Sequence, residues 1–272
     1  MHSPFSSTAI DPDMLLLGYR SGIFPMADAR DDPQIFWVEP RRRAILPLDG
    51  FHLSRSLAKT LRQGRFAVTC NAAFDQVIDL CAAPRGDSGD TWISERIAAT
   101  YRTMHQRGLA HSIECWLATE AGERKLVGGL YGVGFDRVFC GESMFSRVTD
   151  ASKIALAWLV EALRHAGCEL LDCQFITDHL ASLGAVEISQ AEYRLRLADA
   201  QRVYSGVGVG RGVATGVGAG DGARARSGVT EDGALVADWL ALPEGFAALL
   251  TAAKGSSSSP GNFIAQSLTQ TS

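Results

Sequence analysis

Apolar residues recur at helical spacing in several segments of the chain. The clearest stripe lies between Asp150, a capping residue, and Gly167, a terminating one. Its apolar members are Ala151, Ile154, Ala155, Trp158, Leu159, Ala162 and Leu163. The same spacing predicts helices at 11–21, 54–63, 178–183 and 190–202, one from Asn71 through Cys81 and one from Ser94 to Gly108.

Shorter runs that are rich in β-branched and aromatic residues predict strands. They cover residues 65–70, 111–117, 126–133, 137–145, 169–175 and 185–188. Gly134, Phe135 and Asp136 join two of them into a hairpin. In chain order from residue 65 the elements read βααβββαβαβα, which places the chain in the α+β class.

Two of the predicted strands carry polar residues. They are the segments Phe139–Arg147 and Leu171–Gln174. Because side chains alternate along a strand, Glu142 and Met144 share one face, and Asp172 and Gln174 share one face of their own strand. An anion beside an apolar residue indicates a catalytic pocket for a mixed substrate. The alternative is that Asp172 and Gln174 form hydrogen bonds within the sheet.

The two ends of the chain have a less regular pattern. The segment from Gly22 to about residue 47 looks irregular, so residues 1–47 are predicted to form a small N-terminal domain beside a catalytic domain at 48–204. Beyond Ser205, glycine alternates with small residues, which predicts a flexible Gly-rich linker and tail over 205–272. Within it, residues 235–250 hold enough apolar side chains to dock on the rest.

The composition is that of an ordinary globular protein, with 46% hydrophobic residues in a chain of 272. No run of about 18 apolar residues occurs, and the N-terminus lacks a signal-peptide pattern, so we expect a cytoplasmic protein that contacts no membrane. The six cysteines form no Cys-x-x-Cys pair, which favours reduced thiols over disulfides or zinc. We therefore expect no metal.

The charge is unevenly distributed, since the net charge is −4 but residues 41–65 are basic. Their cations are Arg41, Arg42, Arg43, Arg55, Lys59, Arg62 and Arg65, against one acid, Asp49. Such a segment either binds a polyanion or forms a solvated helix face.

The predicted element order resembles that of the GNAT-type acyltransferases, whose sheet opens to hold an acyl donor between its central strands. Fold alone does not name a reaction. Members that use acyl-coenzyme A grip its pyrophosphate with a Gly-containing loop at a junction that here reads Arg147-Val-Thr-Asp-Ala-Ser152. This junction has no glycine, and Asp150 would place a negative charge beside the phosphates, so a coenzyme A donor is disfavoured.

A set of short motifs carries a more specific resemblance. In chain order they are Gly22-Ile-Phe-Pro25, Thr91-Trp-Ile93, His111-Ser-Ile-Glu114, Val127-Gly-Gly-Leu-Tyr-Gly132, Phe139–Arg147, Ala151-Ser-Lys153, Asp172-Cys-Gln174 and Ser182-Leu-Gly-Ala185. On these motifs the chain resembles the leucyl/phenylalanyl-tRNA–protein transferases over about residues 10–202.

The resemblance implies an enzyme that moves Leu or Phe, and less readily Met, from aminoacyl-tRNA to proteins with N-terminal Arg or Lys. The product is a degradation signal of the N-end rule pathway. The resemblance implies no cofactor, and we expect a monomer. Because the ester is already activated and the acceptor amine has a pKa of about 7.7, such an enzyme needs mainly positioning and modest proton handling.

The resemblance also assigns roles to residues. Asp172 and Gln174 are implied to orient and deprotonate the attacking amine, although an amide is a poor base and positioning suits Gln174 better. Glu142, together with Asp172, suits recognition of the cationic acceptor. The basic segment 41–65 is implied to contact phosphates of the tRNA acceptor stem.

The donor's side chain is implied to occupy an apolar pocket, whose walls alternatively form plain core. These walls are Trp37, Trp92, Leu130, Gly141, Met144, Leu156, Leu159 and Leu171.

Two other interpretations of the sequence stay open. The chain could be a coenzyme A-dependent N-acyltransferase or a cell-wall aminoacyltransferase, but the missing glycines argue against the former and the segment 139–147 against both. It could also be a non-catalytic RNA-binding module, although such a module has no need of Glu142, Asp172 and Gln174 together.

Overall fold

The fold is built on a seven-stranded mixed sheet. The structure is a computed structural model that describes residues 9–32, 34–84, 91–120, 122–202, 240–256 and 258–270. Its strands are β1 (Phe24–Met26), β2 (Phe36–Val38), β3 (Arg42–Ile45), β4 (Ala67–Cys70), β5 (Ala110–Ala118), β6 (Arg124–Phe135), β7 (Val138–Ser146), β8 (Leu170–Gln174) and β9 (Val186–Ser189). The large sheet has the order β4-β5-β6-β7-β8-β3-β9, and β1 and β2 form a separate hairpin.

Helices cover both faces of this sheet. They are α1 (Pro12–Arg20), α2 (Arg55–Gln63), α3 (Phe74–Ala82), α4 (Glu95–Gln106), α5 (Ala151–His165), α6 (Asp178–Ala181), α7 (Gln190–Ala200), α8 (Leu242–Gly255) and α9 (Pro260–Gln270). One apolar cluster joins the sheet to α1, α3, α4 and α7. A second joins it to α2, α5, α8 and α9. The observed class is therefore the predicted mixture of helices and strands, arranged in three layers.

The segment before residue 47 differs from the prediction, because it is not irregular. It contains three short strands, and β3 lies inside the large sheet, antiparallel to both β8 and β9. Strand alternation was hidden there by consecutive charges, since Arg43 points to the buried side while Arg42 is exposed. An arginine on the inner face of a strand reads as surface unless its partner is known.

The C-terminal region also differs from the prediction. Residues 203–239, which include most of the Gly-rich run, lie outside the described residues. The prediction of a linker and tail through to residue 272 is wrong for α8 and α9, whose side chains join the second core cluster. Helix α8 approaches α5 so closely that a Cβ on Gly245 would lie 2.4 Å from the Ala162 carbonyl oxygen. The predicted docking of apolar residues here thus extends to both helices.

Helix starts were predicted with mixed success. The Ser94 hydroxyl caps α4 by accepting a hydrogen bond from the Ile97 amide, as predicted. Asn71 does not cap α3, because it turns the chain at a φ of 58° and its side-chain oxygen accepts from the Ser112 amide instead. Asp150 occupies the cap position of α5, yet its carboxylate accepts a hydrogen bond from the Thr60 hydroxyl rather than from the helix.

Among the described helices, none has both the length and the apolar character that crossing a bilayer requires.

We expect the C-terminal helices to be part of the cooperative folding unit. The Leu249 side chain on α8 is fully buried, whereas Leu195 on α7 is 68% exposed. Replacing a buried leucine by alanine costs about 2–5 kcal/mol of unfolding free energy. Leu249→Ala should therefore lower the urea midpoint strongly, and the matched change Leu195→Ala should leave it nearly unchanged. Equal midpoints for the two variants would mean that α8 does not belong to the folded unit.

Candidate functional site

The site lies where the sheet splits. Strands β7 and β8 are parallel neighbours from Val138 and Leu170 up to Cys140 and Asp172. Beyond this point β7 continues beside β6 only, while β8 stays with β3. Gln174 ends β8 at a φ of 56°, a conformation that non-glycine residues rarely adopt. The divergence leaves a gap between two strands that are otherwise in the middle of one sheet.

A cavity of about 480 Å³ occupies this gap. Most of the residues expected to form the donor pocket line it, together with Glu142 and Gln174. They are Trp92, Leu130, Gly141, Met144, Leu156, Leu159 and Leu171. The wall is mainly apolar, and Glu142 is its only carboxylate among the described lining residues. A volume in this range accommodates a small molecule or a large side chain with its attached ester.

Trp37 was predicted to line this pocket, and that prediction is wrong. Its ring packs on α1 at Gly18, where a Cβ would lie 2.5 Å from it. Trp37 pairs with Pro25 across the β1–β2 hairpin, so both side chains lie on the face opposite to Phe24 and Met26. Phe24 and Met26 line the cavity instead. The motif containing Phe24 had been noticed, but no role was assigned to it.

Asp172 does not face the cavity as a free carboxylate. It is fully buried and binds Arg43 through two hydrogen bonds, Nε to Oδ1 at 2.9 Å and Nη2 to Oδ2 at 2.6 Å. The Tyr193 hydroxyl donates to Oδ2 at 3.1 Å. With its charge offset in this way, Asp172 is poorly suited to attract a cationic acceptor, which corrects its predicted role in reading one.

Arg43 was predicted to be among the tRNA-binding cations, and the structure places it elsewhere. Its guanidinium lies between the rings of Phe24 and Tyr193, 4.7 and 4.5 Å from their centroids, and donates to the Gly22 carbonyl at 3.1 Å. Burial lowers the pKa of Arg43, but the adjacent Asp172 outweighs this and raises it overall. Arg43 is thus a permanent buried cation that cannot reach a phosphate at the surface.

The other six cations of the basic segment are exposed: Arg41, Arg42, Arg55, Lys59, Arg62 and Arg65. Arg55, Lys59 and Arg62 follow the i, i+4, i+7 spacing of α2, which puts them on one side of that helix. Arg42 binds Glu187 on the neighbouring strand at 2.8 Å.

Glu142 has a different environment from Asp172. Its Oε2 accepts a hydrogen bond from the Tyr101 hydroxyl at 2.8 Å, and that hydroxyl lies 2.5 Å from the hydroxyl of Tyr19. Burial raises the pKa of Glu142 to about 7, partly opposed by the hydroxyls of Tyr101 and Tyr19, which stabilise the anion. The carboxyl group is therefore poised to exchange a proton near neutral pH.

Sequence reasoning missed both tyrosines. Tyr101 had been placed on the apolar stripe of its helix, and a buried tyrosine on such a stripe requires a partner for its hydroxyl. That requirement was the available signal.

The Gln174 amide can adopt two orientations related by a 180° flip. In one, Nε2 lies 3.4 Å from Glu142 Oε1. In the other, the amide nitrogen donates to the carbonyls of Gly141 at 2.7 Å and Cys173 at 3.2 Å. We adopt the second orientation because its hydrogen bonds are shorter, and it turns the amide oxygen toward Glu142. The Gln174 backbone amide also donates to Asp172 Oδ1 at 2.9 Å, so the buried ion pair holds this residue in place.

Family models match most of the chain. The model described as leucyl/phenylalanyl-tRNA protein transferase matches residues 45–198, and the model of the N-terminal domain of the same enzymes matches residues 8–41. A leucyl/phenylalanyl-tRNA–protein transferase of Novosphingobium aromaticivorans is 62% identical over 97% of this chain and 97% of its own length. One of Rhizorhabdus wittichii is 58% identical over 74% of this chain and 79% of its own.

Among solved structures, FemX matches with a TM-score of 0.44 and 11% identity, over 67% of this chain and 70% of its own.

The buried ion pair predicts a large difference between two adjacent arginines. Arg43→Ala leaves Asp172 buried without its counter-charge, which costs about 3–5 kcal/mol of unfolding free energy. Arg42→Ala breaks only an exposed ion pair and should cost about 0–1 kcal/mol. Urea unfolding measures both. Adding Asp172→Ala to Arg43→Ala should cost less than the sum of the two single changes, and simple additivity would contradict the coupling.

Proposed function

The chain belongs to the leucyl/phenylalanyl-tRNA–protein transferase family and is an aminoacyltransferase, and on that premise we propose its reaction. It moves Leu or Phe, and less readily Met, from aminoacyl-tRNA to the N-terminal Arg or Lys of acceptor proteins in the cytoplasm. The product carries a degradation signal of the N-end rule pathway. The motifs from Gly22 to Ala185 and the 62% identical relative support this proposal.

The observation that carries the proposal is an apolar cavity with a carboxylate set in its wall. An apolar cavity suits the side chain of Leu or Phe, and the neighbouring anion suits the ammonium group of an acceptor. Such a shape discriminates only modestly between similar apolar side chains, because one methylene group is worth about 1–3 kcal/mol. Trp92, Met144 and Leu171 are the residues we expect to contact the donor side chain.

Glu142 is the group we assign to proton handling. The acceptor amine attacks the ester carbonyl, a C–N bond forms, and the C–O bond to the ribose breaks. The amine loses one proton as it becomes an amide nitrogen, and the ribose oxygen gains one as it leaves. A carboxyl group with a pKa of about 7 can accept the first proton and return one to the leaving oxygen.

Asp172 and Gln174 act in positioning under this proposal. Asp172 neutralises Arg43 and fixes the backbone of Gln174, as its hydrogen bonds indicate. The amide oxygen of Gln174 then accepts a hydrogen bond from the incoming amine and aims it at the ester. This assignment supports the positioning role for the glutamine rather than that of a base, because a neutral amide accepts protons poorly.

The tRNA binds through exposed cations, which contact phosphates and do not read sequence. We assign this to Arg55, Lys59 and Arg62 on α2, with Arg41, Arg42 and Arg65 nearby in the chain. Their exposure supports the assignment. The splitting of two parallel central strands similarly supports a GNAT-like description of the catalytic domain.

The pH dependence of transfer should follow Glu142. If the carboxylate accepts the amine proton, kcat/KM rises with pH through about 7, as Glu142 and the acceptor amine lose their protons. Tyr101→Phe removes a hydrogen bond that stabilises the anion, so the pKa of Glu142 rises and the acid limb of the profile shifts to higher pH. Glu142→Gln should remove that limb and lower kcat/KM about 100-fold or more. An unchanged profile in Tyr101→Phe would exclude Glu142 as the titrating group.

The reaction itself can be tested with matched acceptors and donors. Labelled Leu-tRNA or Phe-tRNA is incubated with a peptide that begins with Arg, and with the same peptide beginning with Asp as the control. We expect peptide-bond formation with the first peptide only, since Glu142 attracts a cation and repels an anion. Acetyl transfer from acetyl-coenzyme A without aminoacyl transfer would contradict the proposal. Binding of tRNA without any transfer would instead identify an RNA-binding module.

A further inference from the structure

A second cavity, also of about 480 Å³, lies beside the first. Met144 and His179 line both cavities, so the two share a boundary. The end of α3, the end of β7 and the first turn of α5 supply the other walls. Leu80, Pro84, Ser146, Arg147 and Ser152 are among them.

The charge of this second cavity is opposite to that of the first. Arg147 is exposed at its wall and forms no ion pair with any described residue, and the described lining includes no carboxylate. Lys153 lies one turn along α5, 3.5 Å from Asp150, whose carboxylate also accepts the Thr60 hydroxyl. The charges of Lys153 and Asp150 offset one another, which leaves Arg147 as the cation available to a ligand.

His179 at the boundary is suited to a role without charge. Partial burial, and then the nearby Lys153, lower the pKa of this imidazole below its ordinary value, so it is neutral at pH 7. A neutral aromatic ring beside a cation is the combination that binds nucleotides, because bases stack on the ring and phosphates pair with the cation.

We propose that the second cavity binds the 3′-terminal nucleotides of the donor tRNA, with Arg147 paired to a phosphodiester and His179 stacked on a base. The inference rests on the proposed function, which places the donor's amino-acid side chain in the first cavity. The nucleotide esterified to that amino acid must then occupy an adjoining surface. The acceptor begins with a cation, which Glu142 attracts and Arg147 repels, so the cationic cavity is left to the nucleotide.

Two minimal donors separate the phosphate from the rest of the substrate. Phenylalanine esterified to the 3′ oxygen of adenosine carries no phosphate, whereas phenylalanine on the trinucleotide CCA carries phosphodiesters. Both are assayed against a peptide that begins with Arg. We expect the wild-type chain to have the lower KM for the trinucleotide ester. In Arg147→Ala the KM ratio between the two donors should shrink about tenfold, the effect of losing one charge-assisted hydrogen bond.

Arg147→Lys should retain part of the ratio, because it keeps the charge but loses the fork of the guanidinium. Arg124→Ala is the matched control, since Arg124 is an exposed arginine at the start of β6 that lines neither cavity.

Three results would overturn the inference. The first is a KM that changes equally for both donors in Arg147→Ala, and the second is no change for either. The third is a lower KM for the acceptor peptide in Arg147→Glu with the donor KM values unaffected, which would assign the cavity to the acceptor. If the wild-type chain transfers from intact aminoacyl-tRNA to no peptide at all, the proposed function itself fails, and this inference fails with it.

Discussion

The site depends on one buried ion pair. Arg43 and Asp172 come from strands β3 and β8, and each neutralises a charge that would otherwise make the other's burial prohibitive. The pair also fixes its surroundings, since Arg43 holds the Gly22 carbonyl and lies between Phe24 and Tyr193. Phe24 is a wall of the cavity. The N-terminal segment is therefore attached to the active strand by electrostatics as well as by backbone pairing.

Two carboxyl groups on neighbouring strands illustrate how environment separates function. Asp172 has a guanidinium and a tyrosine hydroxyl as partners, so its negative charge is fully compensated. Glu142 has only the weaker support of hydroxyl groups, and burial raises its pKa to about 7. The first carboxylate is suited to holding structure and the second to exchanging protons. The residue types alone do not distinguish them, because the distinction lies in the partners.

The sequence predicted the regular elements well and the partners poorly. Helix α5 and the strand pair β6–β7 follow from local periodicity, so they could be read directly. Arg43 could not be assigned, because its neighbours Arg41 and Arg42 are exposed and only a strand 129 residues away explains its burial. Trp37 and Met26 were confused because which face of a short hairpin meets the cavity is set by packing against α1. Helices α8 and α9 were underestimated because the Gly-rich run before them dominated the composition.

The position of β3 between β8 and β9 has a consequence for synthesis. Arg43 leaves the ribosome 129 residues before Asp172, and β9 follows later still. At about 5–20 residues per second this is a delay on the order of ten seconds. During that time Ala44, Ile45 and Leu46, which are buried in the finished protein, have no strands to pair with. The early half of the chain thus has to wait, with an unpaired apolar strand, for the half that carries the chemistry, and such long-range pairing slows folding.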